Sequence, residues 1–292
     1  MANQGNKKVE RRTKYFNRHP FHLVAPSSLP FLLSFSALGL VLAAISFMHS
    51  GVYVTFSGIT LLAVFVVLTV YLMAVWWLNV VKESYSGYHT VRVQKGLKLG
   101  FILFIVSEVM FFFGFFWAFF HSSLSPAIEI GSIWPPSGIK AFDPMTFPFL
   151  NTIVPLLSGL SITYTHFYMM LNQYKLAREG FIVTLALALL FTYVQFDEFY
   201  YAPFAISDGI FGSCFYMITG LHGFHVIIGT IFIFVCYLRY KLPTISTSPQ
   251  GHTFYVFTTK TFLGFEFASW YWHFVDVVWL YVYTFIYWWG SL

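Results

Sequence analysis

Seven apolar stretches decide what this chain can fold into: residues 29–48, 55–80, 98–121, 150–172, 180–202, 211–238 and 262–289. Each is long enough to cross a hydrocarbon core of about 30 Å as a helix rising about 1.5 Å per residue. Lipid offers no hydrogen bonds, so each stretch must satisfy its amides internally, which predicts α-helices rather than an open sheet. Composition points the same way. Only 9% of the 292 residues are charged, against about 25% in soluble domains, too few to build a water-facing surface. Aromatic residues make up 22%, and Trp and Tyr favour the membrane interface. The 37 phenylalanines have no evident structural reason; an AT-rich coding genome would produce them, which hints at an organelle.

The basic residues set the topology. Fifteen of the sixteen Lys and Arg fall in the N-terminal tail and the second, fourth and sixth connections, leaving Lys140 alone opposite. An odd number of crossings reproduces this split; six or eight would break it. The positive-inside rule then places the N-terminus in the matrix or cytoplasm and the C-terminus outside. The tail through Arg18 lacks an apolar core, so it is not a secretory signal. Four segments follow: a basic tail (1–28), a pair of helices (29–80), an inner connecting loop (81–97) and a five-helix segment (98–292). The third connection, rich in Pro and Gly, reads as an ordered outer loop, and the sixth, 243–259, as a flexible one. Internal repeats are not evident, which argues against inverted-repeat transporters. Cys214 and Cys236 share one predicted helix, roughly 33 Å apart by helical rise, too far to bond.

Ionisable residues at membrane depth are costly and serve as site candidates. Glu108 lies ten residues past Lys98, about 15 Å into the bilayer. It reads as a proton-handling group or as a carboxyl bonded to a neighbouring helix, with Ser107, Gly114 and Ala118 on an adjacent face suited to close packing. His222 and His225, at i and i+3, share a face with Gly229. Both on one helix, they make a poor haem site, and clear carboxylate partners for a metal are lacking; hydrogen bonding or headgroup contact fits them better. Glu266, His273 and Asp276 form a stripe that reads as an interhelical hydrogen-bond network rather than a proton wire or metal triad, because their depths differ. Asp197 and Glu198 fall at the outer end of the fifth span, where solvation or capping accounts for them. Trp76 and Trp77 precede Lys82, Glu83 and His89 at the inner interface, where belt anchoring and phosphate binding are equally open readings.

The runs ILFIVSEVMFFFGFFWAFFHSSLSP (102–126), WPPSGI (134–139), LNTIVPLLSGLSITYTH (150–166), EFYYAPFAISDGIFGS (198–213), GLHGFHVIIGT (220–230) and GFEFASWYWHFVDVVWLYVYTFIYWWGS (264–291) resemble the cytochrome c oxidase subunit III family. RHPFHLVAPSSLP (18–30) and VQKGLKLG (93–100) extend the likeness to nearly everything from Arg18 onward. The resemblance implies an all-α integral membrane fold of seven helices in two bundles, helices 1–2 and 3–7, with a V-shaped cleft holding phospholipids. It implies an accessory subunit without a catalytic residue, metal or redox centre, bound to subunit I, subunit II and other complex IV subunits. Haem a, haem a3 and copper would reside in those partners, and nucleic acid would play no part. Trp77, Lys82, Glu83, His89, His225 and Arg239 correspond to lipid-binding positions, and Glu108 to a buried carboxylate facing subunit I. The location implied is the mitochondrial inner membrane, N-terminus in the matrix, with a bacterial plasma membrane as the alternative. Lys82 stands where animal members often carry Arg, Phe262-Leu263 replaces a His pair common before GFE, and the sixth connection and the tail are longer. A different class, a proton-coupled transporter or channel using Glu108 and the intramembrane His and Asp, competes with this reading.

Overall fold

A computed structural model describes residues 19–49, 58–241 and 262–291. The basic tail through Arg18, the 243–259 loop and Lys260 lie outside the described residues. Seven long helices account for most of the rest: α1 (Leu29–Met48), α2 (Gly58–Tyr85), α3 (Val91–Leu124), α4 (Phe147–Met170), α5 (Tyr174–Tyr200), α6 (Gly209–Lys241) and α7 (Leu263–Val282), the last continuing as a π-helical stretch, Tyr283–Trp288, and a final 3-10 turn. Strands are absent among the described residues. The first six helices are long and apolar enough to cross a membrane. α7 has the length but carries Glu266, His273 and Asp276, and it hides that polarity by burying eleven of its twenty residues.

Helix ends overrun the apolar stretches. The polar segment expected as a loop over 81–97 is mostly helical: α2 runs to Tyr85 and α3 begins at Val91, leaving residues 86–90 between them. Likewise Lys175 and Arg178 sit in the first two turns of α5 rather than in a connection. The reason is physical. Hydropathy marks where hydrocarbon ends, whereas a helix continues into the headgroup layer as long as its own amides remain paired.

The chain divides into two compact units, Met1–Leu97 and Lys98–Leu292. In the first, α1 and α2 meet through Ser36 and Thr69, whose hydroxyls lie 2.7 Å apart. In the second, α4 and α5 are joined by Ser161 and Thr184 at 2.7 Å, and α7 is fastened to α4 by two indoles. Trp272 Nε1 donates to Ser158 Oγ at 2.8 Å, and Trp279 Nε1 to Thr152 Oγ1 at 3.1 Å. Buried indole N–H groups need such partners. Within this unit α3 differs from α4 to α7: only Phe112, Phe119 and Ser123 of its 34 residues are buried.

The phenylalanine excess has a packing use after all. Phe142, Phe204, Phe211, Phe215 and Tyr287 interlock with centroids 5.0–6.3 Å apart, mostly edge to face, an arrangement worth about 0.5–1.5 kcal/mol per pair beyond burial. They tie the third connection to α6 and to the end of α7.

Candidate functional site

At the connection between α2 and α3, Glu83, His89 and two residues that sequence reasoning passed over come together. His22 Nε2 approaches Glu83 Oε2 to 3.4 Å, outside good hydrogen-bond alignment, and the His22 ring stacks on Tyr88 at 4.6 Å. Burial holds the His89 imidazole below its ordinary value, with Glu83 opposing and His22 adding to the shift, so at neutral pH it offers an uncharged ring. Lys82 and Trp77 are exposed. The signal for His22 was present in RHPFHLVAP, whose second histidine lies just ahead of α1.

Glu108 and His225 meet between α3 and α6. His225 Nδ1 lies 2.8 Å from the Leu221 carbonyl, which only accepts, so Nδ1 carries the hydrogen. Nε2 then faces Glu108 Oε2 at 2.9 Å. One proton between them suffices: either the carboxyl donates to the bare ring nitrogen, or the imidazolium donates to the carboxylate. Both ring nitrogens of His225 are thereby engaged inside the protein. Among the described residues, no atom from another part of the chain lies within 4 Å of where a Cβ on Gly114 would stand.

The stripe on α7 is divided among separate partners. Glu266 Oε2 pairs with Lys98 of α3 at 2.6 Å, and Lys98 also lies 5.9 Å from the Trp270 ring centroid. His273 Nε2 approaches Thr163 of α4 at 3.3 Å. Asp276 lies against Gly159, where an added Cβ would stand 2.7 Å from Oδ2. His222 bonds instead to the Val275 carbonyl at 3.2 Å. These are local interhelical contacts, not a continuous file of protonatable groups. Arg239, in the last turn of α6, lies close to Gly264 at the start of α7. Among the described residues no three His, Cys, Asp or Glu converge as a metal site.

Glu198 corrects the expectation of a solvated end. It is 3% exposed, hydrogen-bonded to the wholly buried Tyr287 hydroxyl. Its place in the chain pointed to water, but the π-helical continuation of α7 covers it. Tyr287→Phe removes that donor from a buried carboxyl, and a loss of about 1–3 kcal/mol is expected. Thermal melting of the purified protein checks it; an unchanged melting temperature would show the bond to be dispensable.

Seven helices of this length, with apolar side chains facing outward and ionisable ones paired across helices, define a polytopic helical membrane protein. The chain belongs to the cytochrome c oxidase subunit III family, whose model matches residues 19–291. It is 50% identical to "Cytochrome c oxidase subunit 3" of Arabidopsis thaliana, over 94% of this chain and 98% of that protein. The proteins of that name from Marchantia polymorpha and Balaenoptera musculus are 52% and 47% identical, each over 94% of this chain and 98% of their own length. Membership makes the chain a subunit of an oxidoreductase complex, complex IV of the respiratory chain.

Proposed function

We propose that this chain is an accessory, non-redox subunit of the terminal oxidase in the mitochondrial inner membrane, N-terminus in the matrix, that binds phospholipid, stabilises subunit I and supports proton uptake during O2 reduction. Haem a, haem a3 and copper reside in partner subunits, and electron transfer runs through them. The observation that carries this reading is the outer surface of α3. It leaves Ile102, Leu103, Val106, Val109, Met110 and Phe113 exposed, while the Glu108 carboxyl beside them is held by His225. An apolar helix face needs lipid or another subunit against it, and a carboxyl on that helix is costly without a paired role. Subunit I is the partner assigned to that face.

Phospholipid is assigned to the exposed Trp77 and Lys82, with Glu83 and His89 behind them. Lys82 gives a point charge to a phosphate, and the neutral His89 ring gives one N–H. Arg239 takes the same role at the end of α6. The basic ends of α3, α5 and α6 support the matrix orientation, since cationic residues favour that flank.

An affinity tag on this chain should draw down a complex with haem a absorption, and a preparation free of haem a would sink the assignment. The joint variant Lys82→Ala, His89→Ala should retain fewer phospholipids by mass spectrometry of the intact complex. Equal lipid content would remove these residues from the headgroup site.

A further inference from the structure

Pro155, Ser158, Phe191, His222, Val275 and Asp276 line an enclosed cavity among α4, α5, α6 and α7. Its volume is about 10 Å³, close to what one water molecule needs and too small for an organic ligand. Two polar groups face it without partners. His222 is 1% exposed; its Nε2 stands 3.2 Å from the Val275 carbonyl and must carry the hydrogen there, so Nδ1 is a bare acceptor. Nδ1 has no hydrogen-bond partner. Asp276, 7% exposed, has neither a hydrogen bond nor a cation beside it among the described residues. Ser158 donates to the Pro155 carbonyl at 2.7 Å and accepts from Trp272 at 2.8 Å, which leaves its oxygen one further lone pair.

Apolar cavities of this size stay dry, whereas one with two to four polar partners holds water. We propose that a single water molecule occupies this cavity, donating to His222 Nδ1 and hydrogen-bonded to the Asp276 carboxyl, with Ser158 alongside. The water joins α6 to α7 where His222 Nδ1 and the Asp276 carboxyl find no direct partner among the described residues. Gly159 is part of the site, because a Cβ there would displace the Asp276 carboxyl.

The test is a density map of the intact oxidase that resolves ordered waters. A peak within hydrogen-bond reach of both His222 Nδ1 and Asp276 is expected, and a vacant cavity overturns the proposal. In His222→Phe, which fills similar volume without an acceptor, the peak should vanish; its persistence would overturn the role of Nδ1. Should that variant not assemble, His222→Asn decides, because its amide reaches the place of Nδ1 but not that of Nε2. A retained peak supports the site, and its loss overturns it.

Discussion

Replacing His225 with leucine should destabilise this chain within its complex by about 1–3 kcal/mol, the cost of leaving the half-buried Glu108 carboxyl without its partner. Among the described residues Glu108 has one side-chain partner, at 2.9 Å, and leucine takes that partner from a carboxyl at membrane depth. Glu108→Gln should cost less, about 1 kcal/mol, because the amide still bonds to Nε2. The double variant Glu108→Leu, His225→Leu should recover most of the loss, since removing both polar groups removes the unsatisfied one. Thermal release of the chain from the purified oxidase, measured for the natural chain, Glu108→Leu, His225→Leu and the double variant, gives the coupling energy. Additive losses would mean that the two side chains do not act on each other. Steady-state turnover of Glu108→Gln separates a structural pair from one that supports proton uptake: the second role requires slower turnover in a stable protein.

Gly180→Leu should weaken the contact between α4 and α5. A Cβ at this position of α5 would meet Thr165 Oγ1 and, at 3.0 and 3.3 Å, the Tyr164 ring and the Thr165 backbone on α4. Thr165 has little freedom to yield, because its hydroxyl bonds to Ser161 at 2.8 Å. The rest of a leucine has nowhere to go unless α4 and α5 separate, which breaks the Ser161–Thr184 contact as well. Overpacking of this kind costs about 1–3 kcal/mol and sometimes more, and the backbone contact puts Gly180 at the upper end. Gly223→Ala on α6 serves as the control: open space around it among the described residues and the better helix propensity of alanine predict no loss. Yield of assembled oxidase from the two variants tests the contrast. Equal yields would mean that the α4–α5 contact tolerates expansion.

The spans were legible because the bilayer imposes one length and one backbone solution on every crossing. α1 falls on residues 29–48 as read from its hydropathy. The boundaries of α2 and α3 were not legible, since Lys82, Glu83 and Arg92 are polar yet helical. Which polar residues meet was legible only in part. Spacing along one helix put Glu266, His273 and Asp276 on one stripe and their differing depths suggested interhelical contacts, but not which residues on other helices meet them. Lys98, Thr163 and Gly159 lie over a hundred residues away from them in sequence, and nothing in a local pattern announces them. Glu198 was misjudged for the same reason: a helix end is solvated only if no later segment folds over it, and Tyr287 does.

α7 is the helix least suited to hydrocarbon on its own: Glu266 and His273 find partners on α3 and α4, and its Val275 carbonyl takes His222 of α6. Those helices all precede it along the chain. During synthesis, therefore, α7 enters a membrane in which its acceptors are already in place, and its entry is itself a docking reaction. A nascent chain in which α4 or α6 had been misplaced would offer α7 only acyl chains, and the charged stripe would hold it at the aqueous boundary. The completeness of the last crossing thus acts as a built-in check that the preceding ones were made correctly.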